Sequence, residues 1–478
     1  MNRAITLGYA PTRRSVFSKL DALKYKELVR EKIKSWGTSI VDLEGINEEG
    51  LLYDDMSHES AIIERFKSTN VDALFFPHVN FGTEDAVARV AKAIGKPVLL
   101  WGPRDEAPSD NGMRLRDTQC GLFATGKILR RFGVPFTYIV NSEVDSDVFR
   151  RGFLNFVAVA NVVRAMRTMR ILQIGPRPTA FWTMMFNEGE LLEKFGIQVF
   201  PVTLDDVKTE TLRVERQNSL GLQQVKAEIQ RSMDWSSVSD EKVLRIAALK
   251  LAMRELADRY QCKAIAIQCW SALQDLIGIM PCLANALLTD DGIPVTCETD
   301  IHGAITAVLA QAAAMDSTPP FFADLTIRHP DNPNGELLFH CGNFPVSLAV
   351  DDKPKLREHF LFDSHAPGTH EGEIKGGEMS IVRFDGDMGE YQLLLGRARG
   401  TTGPFSRGSF VWVEVRDWPL LEERLVTGPY VHHVVGIHGN VIPVLYESCK
   451  YIPGLRPDAV DPEEREIQSW LRGGDWSW

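Results

Sequence analysis

The sequence predicts an α/β protein with two tandem, Rossmann-like doubly wound units followed by a mostly antiparallel, barrel-like β domain. Apolar runs of strand length alternate with amphipathic helical patterns as far as about residue 318. The run GKPVLLW at residues 95–101 has a counterpart in GIPVTCE at residues 292–298. From residue 319, short β-branched and aromatic runs are separated by Gly, Asp and Pro, a pattern typical of antiparallel strands. We therefore expect domains at residues 1–168, 169–318 and 319–478.

The first unit is predicted to contain strands at residues 3–9, 39–43, 71–76 and 136–140, with helices in between and at 145–169. Residues 71–103 have the strand, loop, helix and strand pattern of a βαβ unit. Arg13 and Arg14 follow the first strand, and His78 lies in the βαβ loop. Loops at strand ends concentrate function, so these three are candidate substrate-binding residues. An exposed arginine pair is also typical of a solvated surface.

The second unit repeats this arrangement, with strands predicted at residues 170–175, 198–204 and 264–267. Gln268 and Trp270 lie in the loop after the last of these strands. An aromatic face beside an amide suits a sugar, which presents C–H patches together with hydroxyl groups. A tryptophan that closes the core is the alternative interpretation. No GxGxxG motif follows the early strands, so a dinucleotide cofactor is not indicated.

The segment at residues 294–343 carries the strongest signal for chemistry. Three apolar runs, at residues 294–297, 321–323 and 337–339, are followed directly by Glu298, Asp324 and His340. The carboxyl ends of strands in open α/β sheets form the rim where ligands bind. Two carboxylates with an imidazole suit Mn²⁺ or a similar divalent ion. Each residue alone is also typical of a helix cap or a packed histidine, but together they interrupt apolar runs where burial penalises charge.

The third domain is predicted to hold strands at residues 336–341, 378–384, 392–395 and 410–415. Residues 351–378 are predicted to form a long irregular stretch that lines or covers the site. Near the end of the chain, His432 and His433 are adjacent. On a strand, such neighbours would face opposite sides.

The composition limits the classes of function. A chain of 478 residues is too long to fold around one hydrophobic core, so it should form several domains. A composition of 44% hydrophobic and 24% charged residues is ordinary for a globular protein. A net charge of −11 argues against nucleic-acid binding. Seven cysteines without CxxC pairs indicate a reducing compartment, and neither a signal peptide nor a membrane-spanning run is evident. We expect a cytoplasmic protein without a membrane partner.

Four motifs, ETDIHGAIT, FFADL, FHCGN and HHVV, resemble those of the L-fucose isomerase and L-arabinose isomerase superfamily of aldose–ketose isomerases. The resemblance implies a metal-dependent interconversion of a free aldose and its ketose through an ene-diol, with Mn²⁺ or a similar divalent cation. It implies that Glu298 and Asp324 are both metal ligands and the acid/base pair, and that His433 completes the ligand set. It also implies a homo-oligomer, a trimer or hexamer, in which an N-terminal arginine reaches the neighbouring subunit's sugar site.

The substrate side follows from the same resemblance and from the loop positions. The expected substrate-binding residues are Gln268, Trp270, His340, Asn343, His432, Arg13, Arg14 and His78. His340 is either a further metal ligand or a substrate ligand. The chain is shorter than typical fucose isomerases and differs from them in much of its N-terminal unit, so its substrate need not be fucose.

Two other functions remain open at this point. One is another metal-assisted carbon-acid reaction on a sugar, by an epimerase or an aldolase. The other is a non-catalytic sugar-binding protein, which has little need of a carboxylate–carboxylate–histidine set. The identity and handedness of the sugar, the presence of an anionic group on it, and the choice of base between the two carboxylates are left open by the sequence.

Overall fold

The computed structural model describes residues 4–53, 56–362 and 364–475. Its contacts divide the chain into two compact units. One comprises Met1–Arg164 together with Glu464–Ser477, and the other spans Ala165–Glu463. The three-domain division stays a prediction. None of the helices in the described part of the chain combines the length and apolarity that crossing a membrane requires.

The first unit is built on a five-stranded parallel sheet with the strand order β2-β1-β3-β4-β5. Its elements are β1 (Thr6–Tyr9), α1 (Lys19–Ser35), β2 (Ser39–Val41), α2 (Glu59–Ser68), β3 (Ala73–Pro77), α3 (Glu84–Ile94), β4 (Val98–Trp101), α4 (Thr118–Arg131), β5 (Thr137–Tyr138) and α5 (Asp147–Arg167). The predicted βαβ unit is present as β3, α3 and β4. Gly95, with a φ of +64°, ends α3 in the left-handed conformation that glycine adopts without strain.

The second unit begins with a four-stranded parallel sheet in the order β7-β6-β8-β9. Its elements are β6 (Arg170–Ile174), α6 (Glu188–Phe195), β7 (Gln198–Val202), α7 (Leu204–Gln217), α8 (Leu220–Ser232), α9 (Asp240–Arg259), β8 (Ala264–Ile267), α10 (Ala272–Ile277), α11 (Cys282–Asp290), β9 (Val295–Thr296) and α12 (Ile301–Ala313). The strand order reverses between β6 and β8. In open α/β sheets, a ligand-binding crevice forms at such a reversal. Parallel sheets are therefore confirmed, whereas the Rossmann-like, doubly wound detail stays a prediction.

The rest of the second unit is a nine-stranded, mostly antiparallel sheet in the order β12-β13-β16-β11-β10-β17-β14-β15-β18. Its elements are β10 (Phe321–Arg328), β11 (Gly335–His340), β12 (Lys355–Glu358), β13 (Pro367–Glu373), β14 (Glu378–Asp387), β15 (Glu390–Thr401), β16 (Ser409–Glu414), α13 (Trp418–Thr427), β17 (His433–His438), α14 (Ile442–Ser448) and β18 (Leu455–Asp461). A last helix, α15 (Glu464–Leu471), is grouped with the first unit. Because β16 also pairs with β15, six strands form a closed circuit of pairings.

Two sequence predictions are wrong in this sheet. Residues 351–378 are not an irregular stretch, because β12 and β13 pair with each other and β13 pairs with β16. Asp324 does not follow a strand but lies inside β10, paired with Phe339 of β11 and with His433 of β17. The backbone pairing of β10 with β11 and β17 therefore includes Asp324 and does not end before it. The strand-end argument therefore holds for Glu298, which follows a parallel strand, and not for Asp324.

Candidate active site

Glu298 is held in the interior by an unusual backbone. Glu298 and Thr299 follow β9 with φ angles of +54° and +59°, a left-handed conformation that is uncommon outside glycine. The Thr299 N–H donates to the Ile267 carbonyl at 3.0 Å, and its hydroxyl donates to the Pro176 carbonyl at 3.1 Å. These bonds tie the turn to the ends of β8 and β6. Such conformations persist where the surroundings enforce them, often at functional sites, and here the turn buries the Glu298 carboxylate.

Three predicted residues meet at one nitrogen atom. His433 Nε2 lies 3.2 Å from Glu298 Oε2 and 3.3 Å from Asp324 Oδ1. Asp324 and His433 are partners in the register of β10 and β17, which fixes their spacing. Glu298 arrives from the parallel sheet. The structure thus brings His433 together with two carboxylates that precede it by more than a hundred positions in the sequence.

The orientation of His433 determines what its ring offers. Its Nδ1 lies 2.9 Å from Asp300 Oδ2, so Nδ1 carries the proton and donates to that carboxylate. In the neutral ring, Nε2 then presents a lone pair to the two acidic side chains. Glu298 Oε2 and Asp324 Oδ1 are buried and accept no hydrogen bond from any described residue. Three acceptors that face each other in this way require a positive charge between them.

The electrostatics agree with that requirement. Burial opposes a charge on His433, but Asp300, Glu298 and Asp324 together raise its pKa to about 10. Burial would likewise raise the pKa of Glu298, yet the imidazoles of His340 and His433 hold it well below its usual range. A ring that binds a proton so strongly marks a place where a cation is favourable. A divalent ion bound by carboxylate oxygens and an imidazole would meet the same need.

A buried network behind His433 was missed by the sequence analysis. Arg383 donates through Nη2 to Asp300 Oδ1 at 3.2 Å and through Nε to Asp385 Oδ2 at 2.8 Å. Asp385 Oδ1 in turn lies 2.7 Å from His302 Nδ1. Asp300 also caps α12, accepting from the Gly303 N–H at 2.8 Å. Arg383 and Asp300 hold the imidazole of His433 in place, because a ligand histidine is oriented by the partner of its other nitrogen.

His432 joins the site as well. Within the described residues, the ligand atoms of Asp324, His432 and His433 all lie within 4.8 Å of one another. The two imidazole rings are 4.4 Å apart. The expectation that adjacent histidines face opposite sides does not apply, since β17 begins at His433 and His432 precedes it. The site therefore offers oxygen and nitrogen donors from four side chains.

Two of the predicted substrate-binding residues, His340 and Asn343, lie next to Glu298 or to its neighbour Cys297. His340 Nε2 is 3.7 Å from Glu298 Oε2. Asn343 Nδ2 donates to Cys297 Sγ at 3.5 Å, and Cys269 Sγ lies 3.7 Å from Glu298 Oε1. All seven cysteines are described and are free thiols. Burial raises the pKa values of Cys282 and Cys341, which favours the view of these thiols as small core residues.

Gln268 and Trp270 follow β8, next to the point in the parallel sheet where the strand order reverses. The Gln268 N–H donates to the Ile174 carbonyl at 2.8 Å, which fixes the start of the loop. Trp270 is half-buried between Phe181 and Phe362, at ring distances of 5.7 Å and 4.8 Å. The tryptophan thus belongs to an aromatic cluster rather than to the closed core.

The three predicted residues of the first unit have partners there. Arg13 Nε lies 2.8 Å from Glu49 Oε2, and Arg14 pairs with Glu84. His78 is buried, with Nδ1 donating to the Phe81 carbonyl at 2.8 Å, and burial lowers its pKa to about 4. Their roles in substrate binding stay predictions.

A cavity of about 310 Å³ adjoins His432. Leu325, Glu336 and Trp418 contribute to its wall. Glu336 Oε2 and Trp418 Nε1 are both buried and find no hydrogen-bond partner in the described chain. Burial raises the pKa of Glu336 to about 8, with Arg328 acting in the opposite sense. At neutral pH this glutamate is mostly protonated.

A buried centre of two carboxylates and an imidazole, fixed by two sheets, is the kind of site that enzymes use for proton transfer. The fold and the site thus define an α/β protein with an enzyme-like acid–imidazole centre. Residues 8–167 match the family model described as the N-terminal domain of fucose/sulfoquinovose isomerase. The first unit thus resembles the N-terminal domain of the fucose-isomerase-like proteins.

Similar proteins cover nearly the whole chain. Proteins named sulfoquinovose isomerase from Priestia aryabhattai and Priestia megaterium are each 24% identical over 456 residues, or 92% of this chain and 96% of the relative. The protein of that name from Alkalicoccus urumqiensis is 24% identical over 393 residues, covering 80% of this chain and 84% of its own. A solute-binding protein from Actinobacillus succinogenes with bound D-allose has a TM-score of 0.16, too low to inform the fold.

Proposed function

We propose that the protein is an aldose–ketose isomerase that acts with a divalent cation, Mn²⁺ or a similar ion, held by Glu298, Asp324 and His433. The observation that carries the proposal is the convergence of these three side chains, with buried acceptor atoms facing one another at 3.2 and 3.3 Å. The sulfoquinovose isomerases that resemble the chain over most of its length support the same reaction class.

The chemistry follows from the residues. Moving a carbonyl from C1 to C2 requires removal of the proton on C2, its return to C1, and transfer of a proton from O2 to O1. Glu298 and Asp324 serve as the acid/base pair, because both carboxylates face the same point and differ in exposure, with side chains 6% and 22% exposed. A bound divalent cation supplies stabilisation of the negative charge that develops on O1 and O2.

The network behind the site supports this role. Asp300 keeps the His433 proton on Nδ1, so that Nε2 is free to face the cation site. Arg383 neutralises part of the charge of Asp300 and Asp385. That guanidinium pairs with Asp300 and Asp385 only, whereas the carboxylates of Glu298 and Asp324 face His433, where a divalent cation would balance their charge.

The first substrate to test is sulfoquinovose, an aldose that carries a sulfonate, because the similar proteins act on it by name. The purified protein is incubated with Mn²⁺ and sulfoquinovose, and in parallel with glucose and fucose, in D₂O. Proton and carbon NMR should show the matching ketose, with deuterium entering at C1 or C2 of the recovered sugar. Glu298→Gln should lower the rate by at least roughly 100-fold.

Other results would contradict the proposal. Shorter sugars would indicate an aldolase, and an epimer without ketose would indicate an epimerase. Tight binding of sugar without any exchange of carbon-bound protons would indicate a binding protein. Glu298→Gln with undiminished turnover would remove this residue from the chemistry.

A further inference from the structure

A histidine outside the Glu298–Asp324–His433 cluster has one ring nitrogen that is buried and has no hydrogen-bond partner among the described residues. His359 lies just after β12 and is 1% exposed. Its own N–H donates to the Ala366 carbonyl at 3.0 Å, which closes the loop toward β13. The Leu361 N–H donates to His359 Nδ1 at 3.1 Å. Nδ1 is thus an acceptor, and the ring proton resides on Nε2.

The Nε2–H group of His359 is buried and has no hydrogen-bond partner among the residues that the structure describes. Burial, with a contribution from His340, lowers the pKa of His359 to about 4, so the ring is neutral at physiological pH. A buried donor without a partner is unfavourable, and native proteins rarely keep one without a purpose. The missing partner must be an acceptor.

His340 has the same orientation. The Cys341 N–H lies 2.9 Å from His340 Nδ1, and His340 Nε2 is likewise buried without a hydrogen-bond partner in the described chain. This second donor lies beside Glu298. The His340 N–H is therefore available beside Glu298, and the His359 N–H is a second buried donor without a partner among the described residues.

Aromatic rings connect His359 to the loop after β8. The His359 and Phe362 rings are 4.5 Å apart, and Phe362 meets Trp270 edge-on at 4.8 Å. On the other side, Phe322 lies 5.4 Å from the His340 ring and 4.8 Å from the His433 ring. Flat apolar faces with a few fixed polar groups are what sugar sites offer.

We propose that His359 is a substrate-binding residue whose Nε2–H donates to an oxygen of the bound sugar beyond the C1–C2 edge, with Trp270 and Phe362 as the apolar wall. This inference rests on the proposed function. The ligand class is a sugar that presents an acceptor oxygen, from a hydroxyl or a sulfonate, next to a C–H face. His340 donates at the reacting end, beside Glu298.

Two substitutions separate the donor from the loop contact. His359→Asn keeps an oxygen near the position of Nδ1 for the Leu361 N–H but lacks the Nε2 donor. His359→Gln reaches the Nε2 position with its amide but gives up the Nδ1 acceptor. KM and kcat for sulfoquinovose are measured for both variants, together with Tm in the absence of sugar.

The proposal predicts that His359→Asn raises KM about tenfold with kcat within about threefold of wild type, whereas His359→Gln keeps KM within about threefold. A residue that only holds the loop gives the reverse order, with a lower Tm and weaker binding in His359→Gln. Equal KM values in both variants and the wild type, or equal losses in both, would overturn the proposal.

The outcome is kept distinct from that of the proposed function by calorimetric titration with sulfoquinovose and with glucose. If the wild type binds a sugar without isomerising it, the isomerase assignment fails, and the dissociation constants of the two variants still test His359. If the wild type binds neither sugar, the role of His359 is refuted.

Discussion

Asp300→Asn is the sharpest perturbation of the site, because it changes one oxygen into an amide group while conserving size. The Asp300 carboxylate accepts from the Gly303 N–H at 2.8 Å, from both terminal nitrogens of Arg383 and from His433 Nδ1 at 2.9 Å. An asparagine has one oxygen for these donors, and its NH₂ group would face an N–H group. The His433 ring escapes that clash by moving its proton to Nε2, where it points at Glu298 and Asp324.

The expected losses in Mn²⁺ affinity and in stability follow from this shift of the His433 proton. A His433 ring protonated on Nε2 is no longer a metal ligand. Loss of such an outer partner typically weakens metal binding by roughly 10- to 100-fold, or about 1.4 to 2.8 kcal/mol. Arg383 keeps Asp385 as a partner, so we expect the free energy of unfolding to fall by about 2 kcal/mol, less than for a fully unpaired buried charge.

The assay is a competition titration of Mn²⁺ against a chelator, with chemical denaturation measured in parallel. Asp385→Asn is the matched control, since it removes a charge from the same guanidinium without touching His433. It should lower stability to a similar extent and leave Mn²⁺ affinity within about threefold. Equal Mn²⁺ affinities of Asp300→Asn and the wild type would refute the role of the ring proton. Equal losses in both variants would assign the effect to net charge instead.

Two further predictions concern other parts of the chain. Burial raises the pKa of Glu336 from its ordinary 4.5 to about 8, so between these pH values the folded protein holds a proton that the unfolded chain has lost. The free energy of unfolding should therefore fall by about 2 to 4 kcal/mol as pH rises from 5 to 8, and urea titrations of Glu336→Gln should show that part of the slope removed. Mixing inactive Arg14→Ala with inactive Glu298→Gln, after partial unfolding and reassembly, should restore up to about a quarter of wild-type turnover if each site takes an arginine from a neighbouring chain. Absence of any restored activity, with mixed oligomers shown by mass spectrometry, would place both residues in one chain's site.

The sequence indicated Glu298 and Asp324 because their charge conflicts with their apolar surroundings, and it indicated His433 through the resemblance of the HHVV motif. Glu298 and Asp324 interrupt apolar runs, and His433 precedes another. Charge next to such runs needs a partner, and that requirement is visible without coordinates. The parallel sheets were also predictable, since buried strands and amphipathic helices alternate along the chain.

The outer network was not visible, for physical reasons. Asp300 is explained locally as the cap of α12, which hides its contact with Arg383 on a strand far along the chain. An arginine between Val382 and Phe384 in an apolar strand was the one signal, because such a charge must be paired. His359 was hidden for another reason. It lies between β12 and β13, and β13 reads PGTHEGE, with threonine as its one β-branched residue, so this composition does not predict a strand. The strand forms because it pairs with β12 and β16, and without it the segment around His359 is predicted to be irregular.

The central claim, a divalent cation bound by Glu298, Asp324 and His433 and required for isomerisation, is tested most directly by metal content measured together with turnover. The protein is stripped with chelator, reloaded with Mn²⁺, passed through a desalting column and analysed by mass spectrometry of the metal. The account predicts about one equivalent per chain in the wild type, with ketose formation rising in proportion to bound metal. The Glu298→Gln, Asp324→Asn and His433→Gln variants should each retain less than about a tenth as much. Full turnover by the stripped wild-type protein, or metal retention equal to that of the wild type in all three variants, would contradict it.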